Sequence, residues 1–464
     1  MGRNQQEQVR ALFADALSGR ADRRAILRRA AALGLAAPVA AALSQETIRT
    51  AFAQTEGTLD ISNYDWIVNL HPTLATINEE FGATTPVNSF IAPSANFSTD
   101  IFFEEARDQK SSYDVYIGIT PFLEMVQLAD AGIIEPWNPY LPEGMIDSLI
   151  PAIRQEATYK DQFYVWPFLL DVIVQGWNAD LVERAELDPE KAPETWDELL
   201  ANAKQIQDKG VAPFGLTFDF HAWRSLIPIT HSISTDVYDE ETGLFQWNSE
   251  PAVQALEIMK QMLPLANPDV LNEGTTDGGV NGTPDEQAFA SGQVAYYLKY
   301  QNAHLRFSAP WPDPSKLRLA AIPKTTDGDG GTVFWTTGAG LLTYGQDKEA
   351  AADYLNTITN DMRIWEKSVT GDPAQNQTPV GQLPVYQTLW DEFEAQRPEW
   401  LADWAIAIRG GLDTARGIAP TKLSITQFTT ATPFYLAYLR GEESDAKAAL
   451  DKAMEAVQAA YDEA

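Results

Sequence analysis

Short apolar runs alternate with amphipathic helical patterns along most of this chain. The clearest helix is predicted to begin behind Thr195, because Thr195 and Glu198 have the spacing of a capping box and apolar residues from Trp196 to Ile206 form one stripe. The other predicted elements are helices from Lys348 and from behind Ser444, and strands over 211–218, 293–298 and 317–322. Alternating strands and helices predict an α/β fold.

Length and charge limit the kind of protein and its partners. A chain of 464 residues is long enough for at least two packed units, since a domain usually takes roughly 150 residues. With 33 Lys plus Arg against 65 Asp plus Glu, the net charge is −32, which argues against binding to nucleic acid or to an anionic membrane surface. The absence of cysteine excludes disulfides, thiolate metal sites and a thioether-linked lipid anchor.

The first part of the chain has the pattern of an export signal. Arg23 and Arg24 precede the uncharged apolar run 30–43, and the small-x-small pattern 51–53 fits a cleavage site. We therefore predict that residues 1–53 are a twin-arginine-type export signal, although an amphipathic helix that stays on the protein is the alternative. Without a lipid-anchor cysteine, the product is expected to be periplasmic or secreted.

Catalytic and metal-binding motifs are missing. The sequence has no G-x-S-x-G elbow, no Walker A loop and no H-E-x-x-H, and its four histidines are too far apart for a local zinc pattern. Asp327 and Asp329 begin like a calcium loop, but Gly331 replaces the third ligand, so we expect an ordinary turn. We therefore expect a binding protein without cofactor or metal, although a glycosidase needs only two carboxylates whose separation the sequence does not encode.

Aromatic residues are the strongest chemical signal in the sequence. The chain has 13 Trp and 16 Tyr, and several of them lie outside helical stripes. Examples are Tyr64, Trp66, Trp223, Tyr300 and Trp335. Aromatic faces in loops can stack on sugar rings or enclose cations, whereas the alternative is that they anchor the core.

Five segments carry recognisable motifs in a fixed order. They are 113–118 with 128–136, 159–168 with 177–181, 193–199, 288–295, and 321–323 with 336–341. The third reads P-E-T-W-D-E-L and the fourth A-F-A-S-G-Q-V-A. In this order the segments resemble the extracellular solute-binding proteins of ABC importers, in the sugar-binding group to which maltose-binding protein belongs.

The resemblance implies a two-lobed periplasmic-binding-protein fold of type II, with about three hinge crossovers and the ligand in the cleft between the lobes. The first lobe would comprise 54–170 and 338–390, and the second 171–337 and 391–464. Binding would close the hinge, and the closed form would dock as a monomer on the ABC permease.

The resemblance also implies a set of ligand-binding residues. Asp171 lies at the first crossover, where a carboxylate can accept hydrogen bonds from sugar hydroxyls, or else cap the hinge or form a salt bridge. Trp335 lies at the second crossover, where it could stack on a sugar ring. The other residues at family contact positions are Thr120 in the first lobe, Trp223, Tyr300 and Asn302 in the second lobe, and Tyr64, Asp65 and Trp66 in the first loop.

The predicted function is capture of a carbohydrate for import. Two departures leave the ligand class open: the segment 81–87 differs from the family's usual motif, and Tyr64-Asp65-Trp66 is similar to the start of polyamine-binding relatives. The alternatives are a polyamine bound by Asp65 and Asp171 in an aromatic cage, a secreted glycoside-active enzyme, and an adhesion or scaffold protein.

Overall fold

The structure is a computed structural model, and it describes residues 57–63, 73–91, 99–272, 283–371 and 378–464. The predicted export signal, with Arg23 and Arg24, lies outside the described residues, as do Tyr64, Asp65 and Trp66.

The strands have two to seven residues each, except for two that have 14 and 10 residues. They are β1 (Leu59–Asn63), β2 (Val87–Ile91), β3 (Val115–Ile119), β4 (Ile134–Glu135), β5 (Thr158–Tyr159), β6 (Gln162–Phe163), β7 (Val165–Asn178), β8 (Phe214–Phe218), β9 (Val294–Tyr300), β10 (Leu317–Ala321), β11 (Val333–Leu342) and β12 (Arg416–Gly417).

Helices separate most of these strands and fill the C-terminal part of the chain. They are α1 (Thr73–Phe81), α2 (Asp100–Arg107), α3 (Val126–Asp130), α4 (Met145–Ser148), α5 (Pro151–Glu156), α6 (Ala179–Arg184), α7 (Trp196–Asp208), α8 (Leu226–Ile233), α9 (Glu250–Met262), α10 (Pro284–Ala290), α11 (Gln301–Ser308), α12 (Lys348–Asn360), α13 (Met362–Thr370), α14 (Gln387–Gln396), α15 (Asp403–Gly411), α16 (Thr426–Arg440) and α17 (Ala446–Glu463). Single turns occur at Pro121–Met125 (π-helical) and at Asn138–Tyr140, Ala222–Arg224, Leu263–Leu265 and Pro314–Lys316 (3-10).

One mixed sheet organises the described part of the chain. Its main path runs β2-β1-β3-β11-β7-β9-β8, with β10 beside β7 and with β4 and β12 beside β11. The pairs β1–β2, β1–β3 and β8–β9 are parallel, as expected where helices connect the strands. The central pairs β3–β11, β11–β7 and β7–β9 are antiparallel.

The strands β7 and β11 form a continuous ribbon at the centre of this sheet. All 14 residues of β7 and all 10 residues of β11 are buried. In the register of the pair, Asp171 lies opposite Trp335. These strands also contain the first two predicted crossovers, so the ribbon places both predicted hinge positions side by side.

Two large hydrophobic cores pack around the ribbon. The first core takes its residues from 59–174 and 319–415, and the second from 173–335 and 418–457 together with Phe122 and Leu123. Near the middle of β7 the side chains alternate between the two cores, because side chains along a strand point to opposite faces: Val172 and Val174 pack in the first core and Ile173 in the second.

The cores also bear on the predicted lobe boundaries. Phe393 and Ala415, which fall in the predicted second lobe, pack in the first core, whereas Ile418 packs in the second. Core membership thus changes between Ala415 and Ile418, while the lobe boundary at residue 391 stays a prediction.

The elements predicted from periodicity are present. The helix behind Thr195 spans Trp196–Asp208, and Thr195 Oγ1 accepts a hydrogen bond from the backbone N–H of Glu198 at 3.2 Å. The expected reciprocal half of the capping box is displaced, because the Glu198 carboxylate accepts from the N–H of Glu194 at 3.0 Å. The strand predicted from residue 211 begins only at Phe214, behind Pro213, whose nitrogen cannot donate to a strand ladder.

Within the described ranges, none of the helices combines the length and apolar character that a bilayer span requires.

Candidate ligand-binding site

Three of the predicted ligand-binding residues converge where β7, β11 and β9 run side by side. Asp171 and Trp335 are cross-strand partners on β7 and β11, and Tyr300 pairs with Ile173 on the other edge of β7. The ring centroids of Tyr300 and Trp335 lie 5.4 Å apart in an edge-to-face arrangement. Strand register thus brings Asp171 together with two residues that lie more than 100 positions further along the chain.

Asp171 is a buried carboxyl group with weak local hydrogen bonds. Its side chain is within reach of two amide groups, with Gln301 Nε2 at 3.3 Å from Oδ1 and Gln382 Nε2 at 3.4 Å from Oδ2. Burial raises the pKa of Asp171 to about 7, although Gln382 and the guanidinium groups of Arg306 and Arg224 oppose that rise. Near neutral pH this carboxyl can therefore accept hydrogen bonds or donate one.

Aromatic rings line the region beside Asp171. We define the aromatic cluster as Phe122, Trp223, Tyr300, Trp335 and Phe428. Phe428 lies 5.7 Å from Phe122 and 5.3 Å from Trp223, and Phe122 lies 6.5 Å from Trp335, all edge-to-face. Phe122 stands on the π-helical turn that follows β3, so this ring reaches from the first-core side into the second core.

A buried charged group stands next to the aromatic cluster. We define the Asp219 cluster as Asp219, His221, Arg224, Lys299, Asp285 and Glu286. Asp219 Oδ2 accepts from Arg224 Nη1 at 2.8 Å and from Lys299 Nζ, and Lys299 Nζ also contacts Asp285 Oδ2 at 2.8 Å. Burial alone would raise the pKa of Asp219, but Lys299, Arg224 and His221 hold it well below its ordinary value, so the carboxyl is ionised.

The sequence interpretation missed this cluster. Asp219, His221, Trp223 and Arg224 lie within six residues, a density of polar chemistry beside an aromatic residue that could have drawn attention. Lys299, however, is 80 residues away from Asp219, and only the parallel pairing of β8 with β9 makes them neighbours.

Two predicted residues make structural hydrogen bonds. Asn302 is buried, and its Nδ2 donates to the carbonyl oxygen of Val380 at 2.7 Å. Thr120 is also buried, and its backbone N–H donates to Glu124 Oε2 at 2.9 Å across the π-helical turn. The structure thus groups Asp171, Trp335, Tyr300 and Trp223 around one region and gives Asn302 and Thr120 partners of their own.

The sequence of this chain matches a described protein family. Residues 103–362, more than half of the chain, match the profile of the family called bacterial extracellular solute-binding protein. The matched range includes β7, β11 and the residues that surround Asp171.

Individual relatives are distant and match only in part. The maltotriose-binding protein of Pyrococcus abyssi is 22% identical over 116 residues, which are 25% of this chain and 24% of that protein. The sn-glycerol-3-phosphate-binding periplasmic protein of Agrobacterium fabrum is 25% identical over 173 residues, 36% of this chain and 39% of that protein. The chain therefore matches less than half the length of either relative.

A solved structure shows the fold. The solute-binding protein of an ABC transporter from Thermotoga lettingae, bound with α-D-tagatose, superimposes with a TM-score of 0.70. The superposition covers 87% of this chain and 99% of that one at 18% identity. This likeness confirms the predicted two-lobed α/β fold. Because the family profile extends over more than half of the sequence, the chain belongs to the bacterial extracellular solute-binding proteins.

Proposed function

We propose that this protein is the substrate-binding component of an ABC importer and that it captures a carbohydrate in the cleft between its lobes. The observation that carries the proposal is the placement of the Asp171 carboxyl opposite Trp335 and beside Tyr300. A sugar presents hydroxyl groups at its edge and C–H groups on its face, so it needs a polar partner and an aromatic surface together.

The relatives are consistent with this ligand class. One is named for binding maltotriose, and the structure from Thermotoga lettingae holds α-D-tagatose. In the proposed cycle the ligand contacts both lobes and closes them, and the closed monomer then docks on the permease, so no chemical step takes place. We further propose that the Arg23-Arg24 signal directs twin-arginine export and that the mature protein is periplasmic or secreted.

The polyamine alternative fits the described site less well. The guanidinium groups of Arg224 and Arg306 are close enough to Asp171 to lower its pKa against the effect of burial. Positive charge near this carboxyl is less favourable for a polyamine than for a neutral sugar, which carries no charge to be repelled.

A thermal-shift panel tests the proposal. The full chain is titrated with maltotriose, α-D-tagatose, sn-glycerol 3-phosphate and spermidine, with product analysis of the sugar samples. A ligand at 100 times its Kd adds about 2.7 kcal/mol to the free energy of unfolding, which gives a clear rise in Tm. We expect stabilisation by a carbohydrate with no turnover. Stabilisation by spermidine alone would contradict the sugar assignment, and sugar cleavage would contradict the binding-protein role.

A further inference from the structure

We infer that Arg224 and His221 form a polar wall of the ligand site, that Asp219 positions both, and that this wall selects polyhydroxylated ligands over cations. The inference rests on the proposed function, because it assigns further residues to the same cleft. None of these three residues was predicted from the sequence.

The guanidinium of Arg224 is hydrogen-bonded through Nη1, and the side chain remains partly exposed. Its Nη1 donates to Asp219 Oδ2 at 2.8 Å, and the guanidinium lies 5.6 Å from the ring centroid of Tyr300 and 5.5 Å from that of Trp223. The side chain keeps 23% of its exposure. Its Nε atom is buried and lacks a hydrogen-bond partner among the described residues. A buried N–H of this kind is costly, so the described residues leave part of the hydrogen-bonding capacity of Arg224 unused, and the exposed part of the guanidinium can donate to a ligand oxygen.

His221 is oriented by the other oxygen of the same carboxylate. Its Nδ1 lies 2.5 Å from Asp219 Oδ1. An ionised carboxylate only accepts hydrogen bonds, so Nδ1 donates to Asp219, and this contact fixes the orientation of the ring. The ring lies 5.0 Å from Trp223, and its side chain is 27% exposed. Nε2 is therefore the ring nitrogen that is left to hydrogen-bond with a ligand hydroxyl.

Asp219 itself is a positioning residue. Its side chain is only 2% exposed, and it accepts from the backbone N–H of His221 at 2.9 Å, from His221 Nδ1, from Arg224 Nη1 and from Lys299 Nζ. Four donors occupy the acceptor sites of the carboxylate, so none remains for a ligand. Asp219 acts by fixing the geometry of the two side chains in front of it.

The resulting wall has a definite ligand chemistry. Arg224 supplies N–H donors, and His221 supplies its Nε2 atom. Hydroxyl groups match both, since each can donate and accept, and the rings of Trp223 and Tyr300 suit the C–H faces of the same molecule. The carboxylates of Asp219, Asp285 and Glu286 are paired with Arg224 and Lys299 and are at most 10% exposed, whereas Arg224 is 23% exposed, so an ammonium group at the wall meets the guanidinium charge first. The wall therefore favours polyols and disfavours polyamines.

The test is isothermal titration calorimetry on the full chain with maltotriose, α-D-tagatose, sn-glycerol 3-phosphate and spermidine. The variants are Arg224→Gln, Arg224→Lys, His221→Asn and Asp219→Asn. Arg318→Gln is the matched control, since Arg318 is a partly exposed arginine that is paired with Glu190 outside the Asp219 cluster. We expect Arg224→Gln to weaken polyol binding at least tenfold and Arg224→Lys to restore only part of it. We expect His221→Asn, which keeps a donor to Asp219 but removes Nε2, to weaken binding three- to tenfold.

Two measurements distinguish a positioning role of Asp219 from a purely structural one: a double-mutant cycle of binding free energies and the ¹⁵N spectrum of His221. In a double-mutant cycle, Asp219→Asn and Arg224→Gln are expected to be non-additive, because the first acts through the second. Selective ¹⁵N-histidine spectra of the wild type should show the Nδ1–H form at His221, and Asp219→Asn should lose it. Because Asp219→Asn could unfold the protein, His221→Asn and the wild-type spectrum test the same arrangement without it.

The outcomes separate the two proposals. If the wild type binds none of the three polyols, the proposed function fails and this inference fails with it. If the wild type binds a polyol and Arg224→Gln and His221→Asn bind it within twofold of the wild type, only the inference is overturned. Binding of spermidine by the wild type with an affinity equal to that of the best polyol also overturns the stated selectivity.

Discussion

Three buried carboxyl groups near the central ribbon hold protons more tightly than carboxyl groups in water. Burial raises the pKa of Asp171 to about 7 and the pKa values of Glu124 and Glu156 to about 8. The Glu156 carboxylate accepts two hydrogen bonds from Thr336: one from the backbone N–H of Thr336 and one from its Oγ1 at 2.8 Å. These groups therefore link the stability of the protein, and its ligand site, to pH.

The first prediction concerns stability and Glu156. In the folded protein the pKa of Glu156 is about 8, whereas its value in the unfolded chain is about 4.3. The folded protein therefore binds this proton more tightly than the unfolded chain does. The resulting contribution to the free energy of unfolding is lost as the pH rises from about 4 through 8. Glu156→Gln removes the titration, and its urea-unfolding free energy should fall less than that of the wild type between pH 5 and 8. The control Glu190→Gln changes an exposed carboxyl whose pKa Arg318 lowers, so it titrates below this window. An unchanged slope for Glu156→Gln would contradict the assignment.

The second prediction concerns ligand binding by Asp171. At pH 8 the carboxylate makes charge-assisted hydrogen bonds with ligand hydroxyls, which are roughly twice as strong as neutral ones. Asp171→Asn should therefore weaken carbohydrate binding at least tenfold at pH 8 by calorimetry. The unfolding free energy of the free protein should not fall, because the variant removes a buried charge. If Asp171→Asn bound the carbohydrate with wild-type affinity, Asp171 would not be a ligand-binding residue.

At the scale of elements, the Asp219 cluster connects three parts of the second core. Lys299 on β9 contacts Asp285 and Glu286 at the start of α10 and Asp219 behind β8, and its side chain is fully buried. The carboxylates raise the pKa of Lys299 against the effect of burial, so it stays charged.

The third prediction follows from that burial. Lys299→Met leaves three buried carboxyl groups without their shared cation, and removing one partner of a buried ion pair costs about 3–5 kcal/mol. Urea unfolding at pH 7 should show a loss of this size. The matched control is Lys204→Met, because Lys204 forms an exposed pair with Asp208 within α7, and such pairs contribute at most about 1 kcal/mol. Equal effects of the two variants would show that the cluster does not stabilise the fold.

The elements were more predictable than the site. Helices such as Lys348–Asn360 and Ala446–Glu463 have a clear apolar stripe, so periodicity alone finds them. Asp171 and Trp335 came from a family resemblance, but their direct opposition depends on the β7–β11 register, which spans 164 residues and has no local signal. The Asp219 cluster was missed for the same reason, because its cation comes from a distant strand.

At the scale of the whole molecule, Phe122 connects the two cores. It stands on the turn that follows β3 of the first core and packs in the second core against Trp335 and Phe428. If the two lobes open and close as proposed, this ring should favour the closed arrangement, since opening would expose its apolar surface to water.

The fourth prediction is a change of shape. Phe122→Ala removes this contact, so the ligand-free variant should have a larger radius of gyration by small-angle X-ray scattering than the ligand-free wild type. Saturating carbohydrate should bring the two closer together. Phe81→Ala is the control, because Phe81 packs edge-on against Tyr354 within the first core. The idea fails if Phe122→Ala and Phe81→Ala give the same scattering curve as the wild type.

The first core is built from two separate parts of the sequence, which limits how early in synthesis it can be completed. That core joins residues 59–174 to residues 319–415, so its two halves are separated by the segment that builds much of the second core. During synthesis the N-terminal half has no complete apolar partner until the ribosome has passed Ala415, close to the end of the chain. The first core therefore cannot be completed before residues as far as Ala415 have been made, and the second core needs residues as far as Val457.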